Sequence, residues 1–354
     1  MNAELNSLLK QTSRSFYLTL RVLPAAVRPQ IGLAYLLART TDTIADTEIL
    51  PLAQRLDALQ MLRERILGQN SAPLNFGELA RSQGSPAERA LLEKIEDSLV
   101  LLQTLSPADL NLIREVLVTI TSGQQLDLRR FAPSSATHQR DEDKLKLGLR
   151  PIIALETGAE LDDYIYRVAG CVGEFWTKIC RAHLFPEARL DEPQLVADGI
   201  RFGKGLQLVN ILRDLPADLK KGRCYLPLEK LEPARLLPET LLSPANEAKF
   251  LALFHLYLDE AEAHLRAGWT YTNTLPFGQF RVRLACAWPI LIGARTIEKL
   301  RAARLIELQQ RVKVPRAEVR GILLRSTLAS PLPFAWRRLF PSGAKAVASG
   351  EELA

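Results

Sequence analysis

Asp42 and Asp46, in ARTTDTIADT, stand four residues apart, so on a helix both carboxylates project from one face, roughly 5–6 Å apart at Cβ. Like charges at that distance repel, and the pair is unfavourable unless a cation bridges it. Donors that are all oxygen suit magnesium, which also takes phosphate oxygens from a substrate. One such pair is ordinary on a solvated helix. Here Asp214 and Asp218, in QLVNILRDLPADLKKGRCYLP, repeat the spacing far downstream. Two antiparallel helices pointing these pairs into one cavity would hold several magnesium ions and, through them, a diphosphate. Its departure leaves an allylic carbocation, with the metal as Lewis acid. Arg39 lies one turn before Asp42, Arg213 precedes Asp214, and Arg223 follows Gly222; guanidinium groups bind phosphate oxygens well. Pro216 lies inside the second pair, removes a backbone donor and disfavours helical geometry at Leu215, so the helix is expected to kink or end there.

The elements that would position these groups are helices. Apolar residues recur at three and four over Leu52–Leu67, Pro107–Thr121, Tyr164–Ala182 and Ala248–Leu265, and alternating β-branched runs are nearly absent. Short polar connections such as Ser71–Pro73 and Ser243–Asn246 join them, which predicts an all-α single domain over 1–329. Pro133–Asp143 is expected as an exposed loop. Residues 330–354, rich in Pro, Ser, Gly and Ala, are expected as a poorly ordered tail. Within that tail Phe334, Trp336, Arg337, Arg338, Leu339 and Phe340 suit either an anionic membrane interface or loose docking on the body.

The 354 residues, 47% hydrophobic, suffice for a substantial core. The net charge of +6 and pI of about 9.2 suit a polyanion, an anionic membrane or a diphosphate, although 46 basic against 40 acidic residues is mostly a mixed solvated surface. A nucleic-acid partner is not expected, because carboxylate pairs facing a polyanion are unfavourable. Cys171, Cys180, Cys224 and Cys286 form no CxxC, and the four histidines form no HExxH, so reduced thiols and no zinc site are expected. The N-terminus lacks the apolar run of a signal peptide, and no apolar stretch reaches the ~20 residues of a bilayer span. A cytoplasmic protein follows, with any membrane contact peripheral.

Several segments together resemble the squalene and phytoene synthase family of head-to-head prenyl synthases. SRSF at Ser13–Phe16 resembles its N-terminal motif, YLLARTTDTIAD at Tyr35–Asp46 its first aspartate-rich helix, and GQQLD at Gly123–Asp127 its glycine-methionine-x-x-aspartate segment. YIYRVAGCVG at Tyr164–Gly173 is similar to the YxxxVAGxVG helix, and Gly205–Pro227 to the second aspartate-rich motif. The resemblance implies a helical isoprenoid-synthase bundle around a deep apolar cavity. Asp42, Asp46, Asn210, Asp214 and Asp218 would bind magnesium. Ser13, Arg14, Phe16, Arg39, Gln207, Asn210, Arg213 and Arg223 would meet substrate and its diphosphate. Tyr164, assisted by Tyr35, would accept a proton or stabilise a cation. Two positions depart from the pattern: Ala45 replaces a usual acidic residue, and Gln124 replaces the usual methionine. A chain-elongating prenyltransferase or terpene cyclase shares the metal logic but not the YxxxVAGxVG helix.

The family divides on its last step. The squalene-forming branch quenches a cation with hydride from NADPH, whereas the phytoene- and dehydrosqualene-forming branches lose a proton instead. No GxGxxG occurs, so a Rossmann domain is not the binder. Ala285–Leu300 and VKVPRAEV at Val312–Val319 resemble the squalene-forming branch. That resemblance implies farnesyl diphosphate as substrate and Arg14, Arg39, Arg213, Lys313 and Arg316 as contacts for NADPH.

Overall fold

The computed structural model describes residues 3–13, 16–132 and 151–341, so Arg14 and the expected loop Pro133–Asp143 lie outside the described residues. The chain opens with α1 (Ala3–Thr12), α2 (Phe16–Val22), α3 (Arg28–Asp46) and α4 (Leu52–Leu67). Shorter helices α5 (Gly77–Arg81), α6 (Pro86–Glu93) and α7 (Ile95–Gln103) lead to the long α8 (Pro107–Arg130). β1 (Ile153–Ala154) precedes α9 (Gly158–Ile165), a π-helical turn (Tyr166–Gly170), α10 (Cys171–Leu184) and α11 (Glu192–Lys220). After β2 (Arg223–Cys224) come α12 (Leu228–Leu231), α13 (Glu247–Thr274), α14 (Phe280–Ala302), α15 (Leu305–Leu308), α16 (Arg316–Ala329) and α17 (Pro333–Arg337). The all-α expectation holds. The two short strands, parallel with Ile153 opposite Arg223, were not legible because two residues carry no alternation.

Local chemistry sets the ends of the long helices. The Ser106 hydroxyl accepts from the Asp109 N–H at the start of α8, and the Asp191 carboxylate accepts from the Gln194 N–H at the start of α11. α4 stops at Gly68, whose φ of 74° is the left-handed conformation glycine adopts at no steric cost. Apolar faces then build two layers. Leu36, Leu37, Leu59, Leu62, Ile113 and Ile179 fill the first, and Leu208, Leu212, Phe250, Phe254, Leu258 and Ile290 fill the second. Val22 and Phe202 pack against both.

A stripe of glycines lets α11 cross the π-turn and α10 at backbone distance. A Cβ on Gly173 would collide with the Gly199 carbonyl, and one on Gly203 with the Ala169 carbonyl. The VAGCVG segment is thus a close-approach surface, and it ties the helix of Tyr164 to the helix of the second aspartate pair.

Two expectations are corrected. Of the kink or end expected at Pro216, the end does not occur: α11 runs on to Lys220, because Leu215 and Leu219 are both buried in the second apolar layer. That burial outweighs the missing donor and the local preference against helix. The segment after Ser330 is not loose throughout. α17 forms in it, Trp336 is 1% exposed and stacks on Trp269 at 5.3 Å, and its indole N–H donates to the Asn273 amide oxygen at 2.9 Å. Phe340 stacks on Trp269 as well, so Trp336 and Phe340 are core residues and do not face a membrane. Residues 342–354 lie outside the described residues.

Candidate active site

α3 lines up Tyr35, Arg39, Asp42 and Asp46 at helical spacing. The Tyr35 hydroxyl donates to the Thr12 carbonyl at 3.2 Å, and Phe16 stacks on its ring at 5.0 Å, which docks the N-terminal segment on this helix. Ser13 is buried, and its hydroxyl donates to the Leu9 carbonyl at 2.5 Å. Arg39 pairs with Glu88 of α6 and lies 3.9 Å from Asp42. α8 closes the far side, where the Gln124 amide donates to Asp42 at 2.5 Å. Gln124 therefore holds the first aspartate in place, a role a methionine could not fill, and its own buried carbonyl oxygen finds no protein donor among the described residues.

α11 presents Gln207, Asn210, Asp214 and Asp218 along one face, the first two half-buried. Asp214 is clasped from two sides. Arg213 reaches it at 2.5 and 3.1 Å, and Arg311, from the connection before α16, at 2.9 and 3.4 Å. Burial pushes the Asp214 carboxyl up, but these two guanidinium groups together outweigh it and hold the carboxyl below its usual range.

The two helices share one electrostatic field. Burial, then the neighbouring Asp46, pushes Asp42 up to about 6 against the opposing pull of Arg39 and Gln124. Burial and Asp214 do the same to Asp218, up to about 6, against Arg223 and Lys221. Asp46 is also raised, by burial. Asp42 nevertheless keeps 49% of its side-chain surface accessible, and Asp46 is exposed. Arg223 acts on Asp46, Asp127 and Asp218 alike, which sets it between the two helices.

Tyr164, a residue the sequence singled out, heads a chain of buried polar groups whose connection sequence reasoning did not assign. The Tyr164 hydroxyl donates to the Tyr225 hydroxyl at 3.4 Å, and Tyr225 donates to Asp127 at 2.9 and 3.1 Å. The two rings stack at 4.9 Å, and Arg223 lies 3.6 Å from Asp127. Burial pushes Tyr164 far up, so it stays a neutral phenol, and pushes Asp127 up to about 6. Asp127 closes the GQQLD segment and Tyr225 follows Cys224 in the second motif, so both were visible in the sequence, but not their partnership. Glu48 pairs with Lys221 at 3.2 Å at the rim. Arg311 gave no signal, because its contact with Asp214 spans 97 residues and comes from an irregular segment. Lys313 in that same connection and Arg316 at the start of α16 are exposed, and Arg311 tethers the connection to Asp214.

Among the described residues no three His, Cys, Asp or Glu side chains converge into a ready-made metal cage. The donor chemistry fits magnesium shared with a ligand. The carboxylates come in pairs, their mutual repulsion is relieved by a cation, and the Gln124 carbonyl oxygen beside them lacks a donor. The exposed Lys313 and Arg316 likewise suit the phosphates of a nucleotide.

A profile described as Squalene/phytoene synthase matches residues 9–318. The chain is 27% identical over 257 residues to the 15-cis-phytoene synthase of Synechocystis, covering 71% of this chain and 63% of that one. It is 28% identical over 253 residues to the squalene synthase of Saccharomyces cerevisiae, covering 71% and 51%. The matched region thus spans less than two thirds of either relative. The solved complex of TcSQS with the ligand E5700 superposes with a TM-score of 0.74 at 21% identity, over 95% of this chain and 90% of that one, which is a likeness of fold. A fold of this kind, two aspartate pairs linked through Arg223 and a family match over most of the sequence agree: the chain belongs to the squalene/phytoene synthase family.

Proposed function

We propose that this chain is a squalene synthase, joining two farnesyl diphosphates head to head through presqualene diphosphate and reducing the product with NADPH. The observation that carries the reading is the pair of aspartate helices, α3 and α11, coupled through Arg223 and holding Asp42 and Asp218 at about 6. Magnesium, when bound, neutralises the departing diphosphate, and NADPH supplies the hydride. Asp42, Asp46, Asp214 and Asp218, with Asn210 on the same helix face as the second pair, would hold the metal. Arg39, Arg213 and Arg223 meet diphosphate oxygens, and Gln207 lines the same face.

In the first half-reaction one diphosphate leaves, a carbon–carbon bond forms, and one proton is lost. Tyr164 is neutral and cannot act as a phenolate. It can take the proton only while passing its own to Tyr225, and Tyr225 to the Asp127 carboxylate. Stacked phenol rings also stabilise a passing carbocation through their π faces. In the second half-reaction the other diphosphate leaves and hydride enters. Lys313 and Arg316, two and five residues on from Arg311, which pairs with Asp214, would hold the donor's phosphates.

The second reading, a phytoene or dehydrosqualene synthase without reductant, is favoured by the near-equal identities to the Synechocystis and yeast enzymes. Incubation with farnesyl diphosphate and magnesium, with and without NADPH, followed by mass analysis of the hydrocarbon, separates the two. Squalene formed only with NADPH supports the first reading. Dehydrosqualene in both cases, or turnover confined to geranylgeranyl diphosphate, sinks it.

A further inference from the structure

α16 turns Ile322, Ser326 and Ala329 inward, and Trp288 of α14 donates to the Ser326 hydroxyl at 3.0 Å. The opposite face carries Arg320, Leu324 and Leu328, each four residues from the last, and Leu332 and Phe334 continue it into α17. Leu324 is 62% exposed, Leu328 65%, Leu332 58% and Phe334 68%. Single exposed leucines need no explanation, but large apolar side chains gathered in one stretch mark an interaction surface.

The charge around that stretch has one sign. Arg316, Arg320, Arg325, Arg337 and Arg338 are all exposed. The one acid between Arg316 and Pro341, Glu318, is neutralised from inside by Arg295 at 2.7 Å and Lys299 at 2.9 Å. Arg338 lies 3.9 Å over the Phe334 ring. Arg325 and Arg338 also line a hollow of about 510 Å³, with Leu291, Ile322 and Leu339 among its walls, and the two carboxylates that line it, Glu298 and Glu318, are both paired with Arg295.

We propose that this face of α16 and α17 docks on an anionic lipid bilayer. Leu324, Leu328, Leu332 and Phe334 enter the boundary between headgroups and acyl chains. The arginines engage lipid phosphates, and the hollow between Arg325 and Arg338 receives a headgroup. A second copy of the chain is the poorer occupant, because a two-fold contact would set the same arginines against themselves. Docking does not depend on the reaction proposed above, and its test reads no turnover.

The full chain is sedimented with vesicles of phosphatidylcholine alone and of phosphatidylcholine mixed with phosphatidylglycerol, and its self-association is followed by analytical ultracentrifugation. Binding to the anionic vesicles is expected to exceed binding to neutral ones by about ten-fold or more and to weaken with salt. The L324E/L328E variant should lose it, and R325Q/R338Q should lose most of the preference for anionic lipid, both with melting curves like the parent's. No sedimentation of the parent, equal binding to both vesicles, or L324E/L328E binding like the parent overturns the proposal. So does a parent dimer that L324E/L328E converts to monomer with no vesicle binding, which would assign the face to a second copy.

Discussion

Tyr164, Tyr225 and Asp127 form a continuous path of buried hydrogen bonds, and its geometry is sensitive to a single atom. Removing the Tyr225 hydroxyl in Tyr225→Phe breaks the path at its centre and leaves the ring stack in place. Turnover is expected to fall about 10²-fold, the scale of a lost proton-transfer group, while the melting temperature drops only modestly. A rate within two-fold of the parent would show that the proton leaves by another route. Arg311 makes the opposite prediction. Its exposed pair with Asp214 contributes little stability, yet it occupies a carboxylate proposed above to hold magnesium. Arg311→Ala should tighten magnesium binding by up to about five-fold in calorimetry with the fold unchanged; weaker binding would make Arg311 a helper of the metal site. The four aspartates were legible from spacing alone. Asp127, Tyr225 and Arg311 were not, because their meaning lies in contacts between segments that no local pattern encodes.

Helix α11 is the element on which the site depends, and its crossing of α10 leaves no room for a methyl group. In Gly173→Ala the new Cβ meets backbone on the facing helix, which cannot swing aside as a side chain can. A loss of about 3 kcal/mol or more is expected in chemical denaturation, at the upper end for overpacking; a loss below 1 kcal/mol would show that the helices separate freely. On α13, packed against α11, His264 is lowered to about 4 by burial and then by Arg201 and Lys204. Above pH 6.5 the histidine is neutral in both folded and unfolded chains. Between 6.5 and 4 only the unfolded chain takes up the proton, so this residue's contribution is lost progressively as the pH falls toward 4. His264→Asn should therefore lose less stability than the parent between pH 6.5 and 4.5, and parallel curves would contradict the assignment. The periodicity of the helices was readable, including the full extent of α4. The continuity of α11 through Pro216 was not, since it comes from the tertiary burial of Leu215 and Leu219.

At the scale of the whole molecule, two apolar layers hold α3 and α11, the helices that carry the two aspartate pairs. The all-helical class followed from composition and period, and the family from ordered motifs. The burial of Trp336 and Phe340 did not, because a Pro- and Ser-rich context hides aromatic anchors that only the Trp269 stack reveals. No described helix is long and apolar enough to cross a membrane. The central claim is that both aspartate helices serve one metal–diphosphate site. Calorimetric titration with a non-hydrolysable farnesyl thiodiphosphate tests it in the parent, Asp42→Asn and Asp214→Asn, each with and without magnesium. Binding that requires magnesium and is weakened by about 100-fold or more in both variants is the predicted result. Binding that persists without magnesium, or that only one of the two substitutions affects, would contradict it.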